Sequence, residues 1–471
     1  MTGSSDLLLA YYGDDFTGST DALEFLTRAG INTVLFIAPP TPEQLGKYQG
    51  LQAIGVAGMT RAMPPDEMLQ TLQPAFEALR GLGARHVHYK VCSTFDSSPQ
   101  IGSIGKAIDI GAGVFQNKII PLLVGAPVLG RYCTFGNLYA RMGIGSAGQI
   151  FRLDRHPSMS KHPVTPAHES DLRLHLSLQT AKKTGLIDIL QIEENPAKTA
   201  DKIIVLAKEG FEIILFDALY ADQMPVIGEL IDGCVDDKPL FSVGSSGIEM
   251  ALGAYWNMEG LFKPQLHWPN AGEVEQLLVL SGSCSPVTSA QIDHALEQGF
   301  AGIAIDTAAI AQNNCMEISG YVSLAVNLLS TGKNVIIHTS RGVNDGRISE
   351  TSQLLTAKGL DQQQINAETS RLYGTVLGQI GRQVAESKVI KRIVITGGDT
   401  SSYAARAMGI EAVEMIAPLA PGAPLCRAYA PNSPVDGLEL NFKGGQVGAE
   451  NYFEAVLQGT MDIKNKTTLK P

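Results

Sequence analysis

Leu7-Leu8-Leu9-Ala10-Tyr11-Tyr12-Gly13-Asp14-Asp15-Phe16-Thr17-Gly18 decides how this chain is read. The apolar run over residues 7–12 predicts a buried strand. Ser19-Thr20-Asp21-Ala22-Leu23-Glu24-Phe25-Leu26 predicts a helix start. Two carboxylates then fall at the carboxyl end of a first strand, where open α/β sheets bind ligands. One acid can cap the helix and the other can face the crevice as a base or metal contact. A capped, solvated turn accounts equally well for a bare Asp-Asp pair. The flanking glycines favour a ligand, because they let backbone approach it closely.

Outward from that turn, short apolar runs alternate with helical patterns. Residues 33–38, 53–57, 86–91 and 119–124 predict strands, and segments near 64–82 and 102–112 predict helices between them. Residues 211–217 predict another strand ending in an acid. Residues 241–247 predict a strand running into a Gly/Ser turn, with a helix from Ile248. Residues 261–273 carry Pro264, Pro269 and no clear period, which marks a linker. The pattern then restarts with strands at 277–281, 334–340 and 392–396. Thr288 is the expected cap of a helix ending near Gly299. The fold class is therefore α/β. Two domains are expected, 1–262 and 263–471, each a mostly parallel sheet flanked by helices, with an active-site cleft between them.

A chain of 471 residues is too long for one ordinary core. A net charge of −11 argues against a general nucleic-acid binder. The six cysteines include no Cys-x-x-Cys pair, so neither a disulfide framework nor a zinc ribbon is indicated. Cys92 and Cys284 read as small packing residues rather than nucleophiles. The nine histidines show no metal spacing, and His156, His162 and His168 fall in a Pro-rich stretch that reads as surface loop. With no secretory leader and no membrane-length apolar run, the expected location is the cytoplasm, without a membrane partner.

Three small-residue turns in the second half are candidate phosphate sites: Gly282-Ser283-Cys284-Ser285, Gly397-Gly398-Asp399-Thr400 and Lys443-Gly444-Gly445-Gln446-Val447-Gly448. The first two open helices, whose dipoles favour anions, and Lys443 stands beside the third. None is a Walker A loop, and no Gly-x-Gly-x-x-Gly follows the first strand. In the first half, Lys90 lies in a strand and leads into Cys92-Ser93-Thr94-Phe95-Asp96-Ser97-Ser98, and Arg61 follows another strand. A lysine in a central strand is costly unless it meets an anion. Arg61 and Lys90 together would bind a carboxylate near Asp14.

These motifs, with Thr60-Arg61 and Gly130-Arg131, are collinear over nearly the whole chain with the four-carbon acid sugar kinase family, which the sequence resembles. The resemblance implies an N-terminal domain for a sugar acid and a C-terminal domain for ATP, with Mg²⁺ arriving on the nucleotide and no protein metal site. It implies transfer of the γ-phosphate to the terminal hydroxyl of a small acid. Asp14 would be the base. Asp15, Arg61, Lys90, Ser93 and Thr94 would bind the acid, and Ser283, Ser285, Gly397, Gly398, Asp399, Thr400, Lys443 and Gly445 the nucleotide. The usual Asp-Ser-Thr and Arg-Gly-Asn elements read here as Cys92-Ser93-Thr94 and Asp96-Ser97-Ser98, and Gly444 stands where Ser is usual. An acid in place of an arginine disfavours plain threonate or erythronate, and looks like the branch acting on 3-oxo-isoapionate. A homodimer is compatible with this reading. The rivals are a sugar-acid-binding protein without catalysis and an NAD(P)-dependent hydroxy-acid dehydrogenase. The latter would want a dinucleotide turn that is not evident.

Overall fold

A computed structural model describes residues 7–142, 148–162, 164–313 and 318–460. The opening apolar run forms β1 (Leu9–Gly13), buried at every residue. The helix after it spans Phe16–Arg28, starting before Ser19, because the Asp15 carboxylate caps it by accepting from the Gly18 backbone N–H at 2.7 Å. The chain divides into two units, Met1–Leu266 and His267–Pro471. Residues 263–274 are irregular.

In the first unit the strands that follow are β2 (Thr33–Phe36), β3 (Ala53–Ala57), β4 (His86–Lys90), β5 (Ile120–Leu123), β6 (Arg131–Thr134), β7 (Asn137–Arg141), β8 (Ile150–Arg152), β9 (Thr184–Ile187), β10 (Ile213–Phe216) and β11 (Leu240–Gly244). The main sheet runs β2-β3-β1-β4-β11-β5-β10-β9, with parallel pairing throughout. β1 is thus central, and its register sets Gly13 opposite both Ala57 and Lys90. Beneath that point Phe76 meets Tyr89 edge-on at 5.8 Å, and Phe115 stacks on Phe241 at 5.1 Å. These rings fill the interface between the sheet and the helices Pro65–Gly81 and Ile104–Phe115. Strands β6, β7 and β8 form a separate antiparallel sheet.

The second unit contains β12 (Leu277–Ser281), β13 (Ala301–Ala304), β14 (Val335–His338), β15 (Arg392–Thr396), β16 (Ala412–Ala420), β17 (Ala423–Tyr429) and β18 (Glu439–Lys443). Its order is β13-β14-β12-β15-β18-β17-β16, parallel from β13 to β18 and antiparallel through β17 and β16. The helix after β12 spans Pro286–Glu297 and is capped by Ser285, whose hydroxyl accepts from Val287 N–H, not by Thr288. Pro286 fixes the first helical residue and so moves the cap upstream. Among the described residues, no helix is long and apolar enough to cross a membrane.

Candidate functional site

Each unit gathers its candidate residues at the carboxyl ends of its central parallel strands. In the first unit Asp14 follows β1, and its backbone N–H donates to the Lys90 carbonyl at 2.9 Å. Its carboxylate takes both bonds of a side-on guanidinium, from Arg61 Nε at 3.1 Å and Nη2 at 2.8 Å. Arg61 Nη1 donates to Asp15 Oδ2 at 2.7 Å. Asp15 also accepts from the Thr17 hydroxyl, so it serves the helix and the guanidinium at once. Three of the five guanidinium N–H groups are thereby spent within the protein.

Lys90 ends β4 with its ammonium buried 3.7 Å from Asp21 Oδ2. Ser246 donates its hydroxyl to the same oxygen at 2.5 Å. A β-carbon on Gly18 would lie 2.5 Å from Asp15 Oδ1 and 2.6 Å from Lys90 Nζ, so only glycine leaves these charges room to converge. Sequence reasoning passed over Asp21, yet it lies three residues beyond Gly18 and therefore on the same helix face.

Burial raises the Asp14 pKa, against the opposing pull of Arg61. Burial acts the same way on Asp15, but there Arg61, Lys90 and the bonds from Thr17 and Gly18 outweigh it and hold the carboxyl below its usual range. Burial would strip Lys90 of its proton, but Asp21, Asp14 and Asp15 together keep its pKa raised. The two adjacent acids thus differ: Asp15 is a fixed anion, and Asp14 is the one drawn toward proton uptake. Ser93 and Thr94 follow β4, with Thr94 buried and its hydroxyl 3.0 Å from Cys92 Sγ. Burial pushes the Cys92 thiol up to about 11, so it is no thiolate nucleophile near neutrality.

In the second unit the three small-residue turns follow β12, β15 and β18, which are neighbours in the sheet. Gly282 N–H donates to the Thr396 carbonyl at 3.1 Å and Gly397 N–H to the Lys443 carbonyl at 3.0 Å, which ties the turns together. A β-carbon on Gly282 would sit 2.2 Å from Thr400 Oγ1, and one on Gly445 2.9 Å from Ser283 Oγ. The helix Gly398–Ala407, with Asp399 in its first turn, begins at Gly397 (φ +111°) and has no side-chain cap. Such an open helix end, backed by glycine turns, is suited to an anion.

Lys443 ends β18 fully buried. It donates to Thr288 Oγ1 at 3.1 Å and to the Gly444 carbonyl at 3.0 Å, and its ammonium lies 5.6 Å from the Tyr452 ring centre. Thr288 passes the chain on by donating to the Gly445 carbonyl at 2.9 Å. The lysine therefore braces the third turn from beneath. Burial lowers its pKa to about 7. Cys284 is exposed in the first turn, contrary to its reading as a packing residue, since that turn leaves the sheet toward solvent. His156 is buried rather than in a surface loop, with Nδ1 accepting from the Ser158 and Met159 N–H groups.

Comparison with known proteins gives two domain matches: a sugar-binding N-terminal domain over residues 9–252 and a nucleotide-binding C-terminal domain over residues 278–453. The chain is 40% identical over 458 residues to the 3-oxo-isoapionate kinase of Paraburkholderia graminis, covering 97% of this chain and 95% of that one. It is 27% identical to the 3-oxo-tetronate kinase of Salmonella typhimurium, covering 95% and 98%. A solved structure from Salmonella typhimurium LT2 superposes with a TM-score of 0.73 at 25% identity, covering 96% and 99%.

Proposed function

The chain belongs to the four-carbon acid sugar kinase family, and on that premise we propose that it transfers the γ-phosphate of ATP to the terminal hydroxyl of a branched 3-oxo sugar acid, 3-oxo-isoapionate or a close analogue. The observation that carries the kinase chemistry is the trio of turns at β12, β15 and β18, which meet beside an uncapped helix end. The 40% likeness to a kinase of that acid supports the choice of substrate.

In the proposed mechanism the sugar acid lies against Asp14, Arg61, Lys90, Ser93 and Thr94. Asp14 accepts the proton of the attacking hydroxyl, and its raised pKa suits a group that must take up a proton. Arg61 holds that carboxylate in one orientation through its two bonds. The hydroxyl oxygen then forms a bond to the γ-phosphorus as the bridging oxygen departs with ADP. Little covalent work falls to the protein, whose part is positioning and charge neutralisation. Ser283, Ser285, Gly397, Gly398, Thr400 and Gly445 would hold the nucleotide, with Lys443 bracing the last turn. Mg²⁺ would be carried chiefly by phosphates and water. There it would neutralise phosphate charge. ATP dependence fits a cytoplasmic location.

The test is a panel of three- to six-carbon sugar acids and oxo-acids, with ATP consumption and phosphoester formation both followed. The branched 3-oxo acid should give the highest kcat/KM, and turnover of none of them would defeat the proposal.

A further inference from the structure

The sequence alone assigns the substrate carboxylate to Arg61 and Lys90 together. Arg61 and Lys90 are the obvious cations, but both are already neutralised: Arg61 by Asp14 and Asp15, Lys90 by Asp21. A third cation, Arg131 at the start of β6, is different. Among the described residues it has no carboxylate within ion-pair distance. Its Nη1 donates to the carbonyls of Leu129 at 3.2 Å, Gly130 at 3.3 Å and Arg141 at 3.3 Å, which fixes the guanidinium plane. Its Nε is buried with no acceptor. A guanidinium stays charged at any ordinary pH, so a desolvated one without an anion is unfavourable until an anion arrives. β5 ends at Leu123 opposite Gly244, and Gly244 lies opposite Lys90, so the chain that leads to Arg131 leaves the sheet at the same carboxyl edge as Lys90. Burial is the main influence on the guanidinium, followed by Cys92, Asp96, Asp21 and Tyr132.

Asp96 has a matching defect. Its Oδ1 is buried without a donor, in the loop that follows Lys90 out of the same sheet edge. Its loop cannot easily relax. Phe95 is buried at φ +57°, a conformation unusual for a bulky residue. Ser97 Oγ is tied to His175 Nε2 at 2.9 Å and accepts from Gln179 Nε2 at 3.0 Å. The protein thus leaves one donor and one acceptor unsatisfied at the same edge of the sheet.

We propose that Arg131 binds the substrate carboxylate through its Nε–Nη2 edge, and that Asp96 accepts a hydrogen bond from a hydroxyl of the same molecule. This deepens the kinase reading and rests on it. An acid at position 96 would repel a carboxylate placed there but suits a hydroxyl-bearing branch, so the pair would set both the orientation and the choice of substrate.

The experiment compares wild type, Arg131→Gln and Arg131→Lys on 3-oxo-isoapionate and on its primary amide, which lacks the negative charge. Loss of a bidentate charge-assisted contact is expected to raise KM for the acid about 100-fold in Arg131→Gln, with KM for ATP and kcat changed less than about threefold. Arg131→Lys, which keeps the charge but loses the fork, should fall between. The amide should be nearly indifferent to either change. An equal loss on acid and amide, or no loss on the acid, overturns the proposal. If both variants fail to fold, calorimetry on wild type decides: the acid should bind about 100-fold tighter than the amide, and equal affinities overturn the assignment. Wild-type enzyme inactive on every sugar acid would instead defeat the kinase reading itself.

Discussion

Lys443→Met replaces a buried cation by an apolar side chain of similar length, and its effect on stability should depend on pH in a direction the structure fixes. Lys443 is fully buried, and the groups facing it are Thr288, the Gly444 carbonyl and the Tyr452 ring, with no acid among them. Burial takes its pKa from 10.5 to about 7. In the unfolded chain the lysine keeps its proton up to about pH 10.5, whereas the folded protein releases it near pH 7. Between those values the unfolded state binds more protons, so stability rises with pH. The penalty for burying the charge is fully present below pH 7, at about 5 kcal/mol, and fades toward pH 10.5. From pH 7 to pH 9 the wild type should gain roughly 2 kcal/mol from this group alone, a gain the variant lacks. The assay is denaturant unfolding of the nucleotide-free protein and the Met variant at both pH values. The expected result is a stability difference favouring Met at pH 7 and shrinking by about 2 kcal/mol at pH 9. Parallel pH profiles would refute the argument, because they would mean that Lys443 titrates alike in both states.

Asp14→Asn should lower kcat by about 10²–10⁴-fold while leaving ATP affinity near normal, measured by steady-state kinetics and calorimetry. Asp15→Asn should affect stability at least as much as rate, since Asp15 caps the helix and anchors Arg61; a melting temperature unchanged alongside lost activity would exchange the two roles. Gly282→Ala places a methyl 2.2 Å from Thr400 Oγ1. It should weaken nucleotide binding at least about tenfold, the scale of about 1.4 kcal/mol, with sugar-acid affinity unchanged; equal ATP affinity in calorimetry would remove these turns from the nucleotide site. Gly18→Ala drives a methyl between Asp15 and Lys90, so sugar-acid affinity should fall while ATP affinity holds, and an unaffected KM for the acid would place the substrate elsewhere.

The alternation of strand and helix was legible because buried parallel strands such as β1, β12 and β15 are short apolar runs ending in a glycine, acid or small-residue turn. β4, His86-Val87-His88-Tyr89-Lys90, is buried without being an apolar run. The hairpin of β16 and β17 was not legible. Pro418 and Pro424 interrupt it, and register shifts after Met415 and Ala417 absorb the irregularity. The strands β6 to β8 are half-exposed and only three to five residues long, too short for the alternation of β7 to stand out in sequence. In the site, Asp14, Arg61 and Lys90 stood out as charges beside strand ends. That Arg61 and Lys90 are already neutralised did not, because the pairing to Asp15 and Asp21 depends on the helix rotation set by the Asp15 cap. Thr288 likewise looks like a cap in sequence, and only the third turn, packed against it, shows that its hydroxyl serves Gly445. Arg131 was visible as part of a motif, but its lack of an acid partner is a three-dimensional fact.

The central claim is chemical, and phosphorus NMR of a reaction mixture tests it most directly. Protein, ATP, Mg²⁺ and 3-oxo-isoapionate should give ADP and one new phosphomonoester in equal amounts, with a higher kcat/KM than for D-threonate, L-threonate or D-erythronate. ADP appearing with inorganic phosphate alone, or no ADP with any acid in the panel, would contradict the account.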